Sequence, residues 1–311
     1  MIKLEHAEVV GWEAAIRGMR NPMNSWEKSD SIFSKHVCSN TVCWTDISLN
    51  ELPPCNIPEE VHVDNWTGLF YNIGTNDHEL MMKLRNAGTD HRKFMRMIVV
   101  YVDVTAPLYW WKEFKTYRAG RRFGDDEPDI IDDGYLECDI ETNSCSTMHK
   151  IHEKEFTLED FSCEHLMNSY LGEDADVNMQ VDGQGEWTPK NVLEFTIDAL
   201  NHYRNKFLET KIKPLKDEYK RAGLMKKYWW QMIQLLPSSY NQKRTIMLSY
   251  EVLANIYKSR KNHKLDEWFE FCKWIEDLPY SELITGPSLN DIPICNEIVE
   301  EAKRRVTNEE D

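Results

Sequence analysis

No two of the eight cysteines (Cys38, Cys43, Cys55, Cys138, Cys145, Cys163, Cys272 and Cys295) form a CxxC pair or keep a regular spacing. A structural zinc site draws on closely spaced ligand pairs, so no metal is expected. A disulfide framework is equally out of character for a 311-residue chain without a signal peptide. Reduced, mostly buried thiols are what remains. Apolar runs are short, and none approaches the roughly 18 residues that cross a bilayer. The opening MIKLEHAEVV lacks the basic-then-apolar pattern of a secretion signal. A soluble cytoplasmic protein without a membrane partner is expected. There is no P-loop, GxGxxG, nucleophile elbow, internal repeat or low-complexity tract. Kinase, Rossmann dehydrogenase and α/β-hydrolase readings thereby lose their main support.

Positive charge is also scarce. Thirty-seven Lys and Arg stand against 53 Asp and Glu, a formal net charge of −16. A polyanion would be repelled at long range, which argues against polymeric nucleic acid as a partner. The excess is partly local, because Gly124 to Glu141 accumulates carboxylates with no Lys or Arg. The long-range field therefore need not describe a pocket lined by Arg118, Arg121 and Arg122, and a small anionic ligand stays permitted. Hydrophobic content of 41% and charged content of 29% are ordinary for a globular protein. The pattern predicts an α+β fold, a central sheet flanked by long helices. It predicts one domain over 1–280 carrying an acidic insertion at 124–141, then a polar tail over 281–311.

The informative stretch runs from Ala87 to Lys150. Met95 to Val104 alternates with both faces mostly apolar, which reads as a buried strand. Thr105 offers an N-cap, Pro107 a first-turn proline and Gly120 a stop, so a helix is predicted between them. On it Trp110, Phe114 and Tyr117 share one stripe, read as core. Trp111, Lys115 and Arg118 share another, which is either a solvated edge or a platform for a ring and a phosphate. Past the insertion, Thr142-Asn143-Ser144-Cys145-Ser146-Thr147 packs hydrogen-bonding side chains together. His149, His152 and Glu153 would share a face if that segment is helical, as a solvated edge or as metal ligands.

Elsewhere, residues 1–20 read as a strand leading into a helix with Trp12, Ala15, Ile16 and Met19 on one face. Arg20 to Trp26 follows as a capped turn, or as a loop presenting Arg20 and Asn24 to a ligand. Residues 27–58 read as loop. A helix capped by Asn76 should stop at Gly88, and 157–170 looks helical. Thr188-Pro189 opens a long helix, and a second follows Pro214 to about Leu236. Leu236 to Asn241 breaks the pattern, with Arg244 beyond it as a candidate cation or a surface residue. Helices over 249–260 and from Leu265 through Trp268, Phe269, Cys272 and Ile275 complete the chain.

The order of these pieces resembles the flavin-dependent thymidylate synthases over about residues 70–275. Gly88-Thr89-Asp90-His91 resembles the family's Gly/His turn, and Met97 to Asp103 its strand. Thr116-Tyr117-Arg118 falls where an Arg-His-Arg triplet lies. Asn143-Ser144-Cys145-Ser146 falls where Asn-Glu-x-Ser lies. Leu236-Pro237, the helix ending at Arg260, and Leu265 to Ile275 resemble the run that follows. Departures are Thr116 and Tyr117 for the first Arg and the His, Ser144 for the Glu, and Glu267 and Glu270 where a final Arg stands. The chain is also similar to phage and prophage proteins sharing RNPMNSW, TAPLYWWKEF and NSCSTMHK. The resemblance implies a homotetramer in a bacterial host cytoplasm, binding FAD and a pyrimidine nucleotide between subunits. It implies reductive methylation of dUMP with methylenetetrahydrofolate as co-substrate, and no nucleophilic role for Cys145. Arg118 and Arg260 would serve phosphate or carbonyl. His91, Tyr117 and Arg118 would meet the flavin. Asn143, Ser144, Ser146 and Arg244 would meet the nucleotide. The altered triplet leaves a second expectation, a catalytically diverged nucleotide-binding or protein-interaction module on the same fold.

Overall fold

The computed structural model describes residues 2–39, 42–45, 67–118, 140–167, 188–213 and 218–286. Its strands are β1 (Lys3–Val10), β2 (Ile32–Ser39), β3 (Val42–Thr45), β4 (Thr67–Asn72), β5 (Val99–Pro107), β6 (Ile140–Ser144) and β7 (Asn241–Ser249). Its helices are α1 (Trp12–Arg20), α2 (Thr75–Asn86), α3 (Leu108–Phe114), α4 (Pro189–Ile212), α5 (Glu218–Leu235), α6 (Tyr250–Arg260), α7 (Asp266–Glu276) and α8 (Glu282–Thr285). The fold is α+β. One sheet has four strands in the order β1-β5-β7-β6, and a second has three in the order β3-β2-β4. The second sheet is antiparallel, with Phe33 opposite Tyr71 and Val37 opposite Trp44. Both β2 and β3 fall in the stretch expected to be loop.

Alternation on the two inner strands of the larger sheet sets what is buried. Val100, Val102, Val104 and Ala106 of β5 face inward with Gln242, Arg244, Ile246 and Leu248 of β7. β5 is therefore half-exposed rather than buried on both faces, since Tyr101 is 40% exposed. On the open face Asp103 accepts from Thr245 Oγ1 at 2.6 Å and pairs with Lys243 Nζ at 3.1 Å. Hydrogen bonds from Thr245 and Lys243 hold its carboxyl down to about 2. β7 lies in the stretch expected to run on from a chain break into a helix. Its alternating QKRTIMLS has the period of a strand.

The chain groups into two compact units, each assembled from separated segments. The first comprises Met1–Ala7, Tyr101–Met247 and Arg260–Trp274. Its helical part is a cluster of Ile151, Phe156, Phe161, Leu193, Ile197, Leu200, Phe207 and Met232. Thr188 caps α4 as expected, accepting the Asn191 N–H at 3.1 Å. The expected helix over 157–170 is instead a single 3-10 turn, Leu158–Asp160, closed by a Thr157–Asp160 capping box. The chain then straightens because Phe161 bridges Tyr240 and the Ser162 N–H donates to Ser239 O. His149, His152 and Glu153 lie on turns and share no helical face. The His152 ring packs on Phe207 at 4.4 Å, and Lys150 pairs with Glu153.

The second unit comprises Glu8–Val100, Leu248–Ser259 and Ile275–Asp311. Trp12 sets its ring edges against Tyr250 and Tyr280 at 5.3 and 5.2 Å. Arg20 is only 4% exposed and belongs to the interior, bonded to Asp77 Oδ1 at 2.6 Å. The reading of Arg20 as a ligand-facing residue is corrected by that ion pair. The N-cap of α2 is Gly74, and Asn76 lies one position inside the helix. Its first-turn N–H groups are met from far along the chain, Asn76 N and Asp77 N donating to Asp30 at 2.9 and 3.1 Å. Leu283 and Ile284 of α8 are buried. Gly11 caps α1 at φ 94°, and a Cβ built there would lie 2.0 Å from Met97 O. Gly11→Ala should therefore destabilise by about 1–3 kcal/mol, from left-handed strain plus overpacking, read as a lower midpoint in urea.

Candidate functional site

The first unit's candidate site is built around α3, a short helix that starts two residues later than Thr105 suggested. Thr105 stays in β5, and Pro107 has no N–H to satisfy. The next two donors are met by the 236–240 turn, Leu108 N to Tyr240 O at 3.0 Å and Tyr109 N to Ser238 O at 2.9 Å. Backbone carbonyls thus do the work expected of a side-chain cap. Trp110, Trp111 and Phe114 are all buried, so Trp111 is neither a solvated edge nor an open platform.

One flank of α3 carries Arg244. Its guanidinium carbon lies 4.2 Å from the Trp111 ring centroid. Its Nε and Nη2 donate to Gln242 Oε1 at 3.0 and 2.7 Å. Trp111 Nε1 donates to the Gln242 backbone oxygen at 3.0 Å, and Gln242 Nε2 donates to Cys145 O at 2.7 Å. Cys145 N in turn donates to Lys243 O at 3.1 Å. The residues that precede and follow Cys145 are therefore fixed beside the strand that bears Arg244. Asn143, Ser144 and Ser146 are exposed there. Ser146 Oγ accepts from Met148 N and His149 N at 3.3 and 2.9 Å, which folds the chain back at that point. At 8% exposure Arg244 is no surface residue. Burial of a guanidinium on an indole face suits its weak hydration and its planar charge.

The opposite flank carries Arg260. Its guanidinium carbon is 5.0 Å from the Trp268 centroid and 5.5 Å from that of Tyr117. Glu113 gathers this side. It accepts from Trp268 Nε1 at 2.9 Å and stands 3.6 Å from Arg260 Nη1 and 3.7 Å from His263 Nε2. Arg260 Nε has no partner among the described residues. Between the two arginines runs a continuous set of rings, Trp111 to Trp110 at 4.9 Å and Trp110 to Trp268 at 4.8 Å. At the start of α3, Tyr109 donates its hydroxyl to Glu267, and burial together with that carboxylate pushes the phenol's pKa upward.

The structure thus brings Tyr117 together with Arg260, and Arg244 together with the Asn143–Ser146 segment. Arg118 ends the 3-10 turn Lys115–Arg118, directly after Tyr117. Arg121 and Arg122, like 124–139 of the insertion, lie outside the described residues. His91 belongs to the second unit, exposed in the turn that begins at Gly88, with its N–H on Gly88 O at 3.1 Å. Phe269, grouped by spacing with Trp268, Cys272 and Ile275, is 57% exposed, and Phe271 is buried beside them instead. Sequence reasoning passed over Gln242, Glu113, Trp268 and His263 as site residues. For Gln242 a signal existed, since it stands two positions from Arg244 on an alternating strand.

No family model matches the chain, and no curated protein matches it. Two solved structures of a flavin-dependent thymidylate synthase from Helicobacter pylori, both with FAD and dUMP, are similar to it. The first has a TM-score of 0.46 at 15% identity, covering 92% of this chain and 97% of that one. The second has a TM-score of 0.45 at 15% identity, covering 91% and 97%.

Proposed function

We propose that the chain binds a pyrimidine nucleotide, dUMP being the first choice, and acts as a flavin-dependent thymidylate synthase-like enzyme. The observation that carries this reading is Arg244. A buried cation lies over the Trp111 ring, on the strand next to the one that carries Asn143 and Ser144 and leads to Ser146. A monoester phosphate needs such a set: one fixed positive charge and several neutral donors. Arg260 takes the second position, a cation whose Nε has no partner among the described residues and whose guanidinium lies near the Tyr117 ring. In that place it orients the uracil ring or polarises its carbonyl as negative charge develops there. Arg118, the next residue after Tyr117, supplies a further cation, and His91 is proposed as a flavin contact. Homotetramer formation and methylenetetrahydrofolate as methylene donor belong to the same proposal, as does a place in a bacterial host's cytoplasm.

The fit to FAD rests on the same residues. Tyr117 is half-buried and keeps a flat surface beside Arg260, a pairing suited to a conjugated ring and a phosphate. Tyr117 and Arg118 would hold the flavin, which when bound supplies hydride for the new methyl group. A specific observation favours a second reading, a nucleotide-binding module without redox chemistry. Thr116, first of the altered triplet, donates its hydroxyl to Glu113 O at 2.7 Å, so that position closes the helix end.

Purified protein should be yellow, release FAD on denaturation, and bind dUMP in calorimetry. Binding of dUMP by colourless protein that takes up no FAD would select the second reading. Failure to bind either ligand would remove both.

A further inference from the structure

We infer that Glu113 and Arg260 together read an imide edge, a ring carbonyl beside a ring N–H, and that Glu113 accepts the N–H. A uracil ring carries that edge, and so does the pyrimidine portion of a flavin. The inference deepens the proposed function and rests on its placing a ligand ring at Arg260. That guanidinium makes no hydrogen bond among the described residues. Rings hold it instead, its carbon lying 5.0 Å from the Trp268 centroid and 5.5 Å from that of Tyr117. The nearest approaches to the Glu113 carboxylate are all to Oε2, from Trp268 Nε1 at 2.9 Å, Arg260 Nη1 at 3.6 Å and His263 Nε2 at 3.7 Å. His263 is itself fixed, its Nδ1 accepting from Leu265 N at 3.2 Å, which puts the hydrogen of the neutral ring on Nε2, towards Glu113. Oε1 accepts no hydrogen bond from the described residues. Both side chains reach solvent, Glu113 at 38% and Arg260 at 20% exposure. An open acceptor therefore stands beside open donors, next to two aromatic rings.

A carboxylate present only to balance Arg260 would close on it as a bidentate pair, both oxygens on the guanidinium fork. Here the closest approach is 3.6 Å, longer than a hydrogen bond, and Trp268 Nε1 takes the oxygen that makes it. The indole thus turns Glu113 so that Oε1 stays available. A guanidinium only donates and a carboxylate only accepts. Side by side they call for a partner whose acceptor neighbours a donor, as the carbonyl and N–H of an imide do. A phosphate offers acceptors alone, and Glu113 would repel it. The rings of Tyr117 and Trp268, 5.9 Å apart between centroids, favour a planar ligand over a sugar hydroxyl. A site built to bond an N–H rejects the analogue that lacks it, because its own acceptor is then left unpaired.

The test is calorimetric binding of dUMP, of FAD and of the N3-methyl derivative of each to wild type, Glu113→Ala and Glu113→Gln, with a thermal melt of each protein. Methylation removes the N–H and keeps the carbonyls. Wild type should bind the methylated form of at least one ligand about tenfold more weakly than its parent, as the loss of one charge-assisted contact implies. The ligand so discriminated is the one whose ring lies at Arg260, which separates uracil from flavin. Glu113→Ala should bind parent and methylated forms of that ligand equally, since the acceptor is gone and the methyl has room. Glu113→Gln keeps an oxygen for Trp268 Nε1 and turns a donor towards the ring N–H. It should melt as wild type does and bind the parent ligand about tenfold more weakly, so it decides the matter even if the alanine variant fails to fold. Wild type that binds parent and methylated forms alike would overturn the inference and leave the proposed function standing. Discrimination kept by Glu113→Ala, or wild-type affinity in Glu113→Gln, would overturn it in the same way. Wild type that binds neither dUMP nor FAD would overturn the proposed function, and the role of Glu113 with it.

Discussion

Asp77→Ala is expected to cost about 3–5 kcal/mol, the loss seen when one partner of a buried ion pair is removed. Asp77 is fully buried. It accepts from Arg20 Nε, Ser29 Oγ and Ser31 Oγ, each at 2.6 Å, and from the backbone N–H groups of Ser31 and Asp30 at 3.2 and 3.3 Å. Alanine would leave Arg20 charged at 4% exposure, with two hydroxyls and two amides deprived of an acceptor. Against a typical total of 5–15 kcal/mol, that is a large share. Urea unfolding at neutral pH should show it as a marked fall in midpoint. The same carboxylate gives the protein an acid limit. Burial alone pushes its pKa up, but Ser29, Ser31 and Arg20 outweigh burial and hold it below the usual carboxylate value. A depressed folded-state pKa means stability that is complete above the unfolded value of about 3.9 and lost as pH falls through the folded one. Asp77→Asn should keep the packing, start from lower stability at neutral pH, and lose less on going from pH 5 to pH 2. Equal acid sensitivity in Asp77→Asn and wild type would show that other groups set the limit.

How much of this was legible beforehand depends on whether the partners are local. α4 was readable because Thr188-Pro189 and the apolar spacing after it act within a few residues. α1 and its buried Trp12, Ala15, Ile16 and Met19 were readable for the same reason. The pairing of Arg20 with Asp77 was not, because 57 positions separate them and nothing in a local pattern distinguishes a buried Arg from an exposed one. Asp30 caps α2 from 46 residues away, which made Asn76 the wrong choice although it is a good capping residue. β7 was missed because the Pro237 break and the Tyr250 helix on either side drew attention from the alternation between them. That miss also hid Gln242 and led to Arg244 being weighed as a surface residue. Trp111 was placed correctly on α3 and wrongly towards solvent. A 3.6-residue period tells which residues share a stripe but not which stripe meets a sheet, and on α3 Trp111 is buried along with Trp110 and Phe114.

Arg244 carries the second large effect. Arg244→Met, which keeps most of the buried volume, should weaken dUMP binding about a hundredfold, the equivalent of a charge-assisted contact worth 1.5–3 kcal/mol. The thermal stabilisation that saturating dUMP gives wild type should shrink accordingly, since that stabilisation follows RT ln(1 + [L]/Kd). Arg244→Lys separates charge from shape. An ammonium keeps the charge, yet it cannot lie flat on the Trp111 ring while presenting two parallel donors to Gln242 Oε1. An intermediate loss of about tenfold is the expected result. Arg260→Met provides the contrast on the other flank of α3. If Arg260 acts on the uracil ring or its carbonyl, inorganic phosphate should bind that variant as it binds wild type, whereas Arg244→Met should lose dUMP and phosphate together. The opposite pattern, phosphate lost with Arg260 and kept with Arg244, would move the phosphate site across α3 to the cage formed by Tyr117, Trp268 and Glu113.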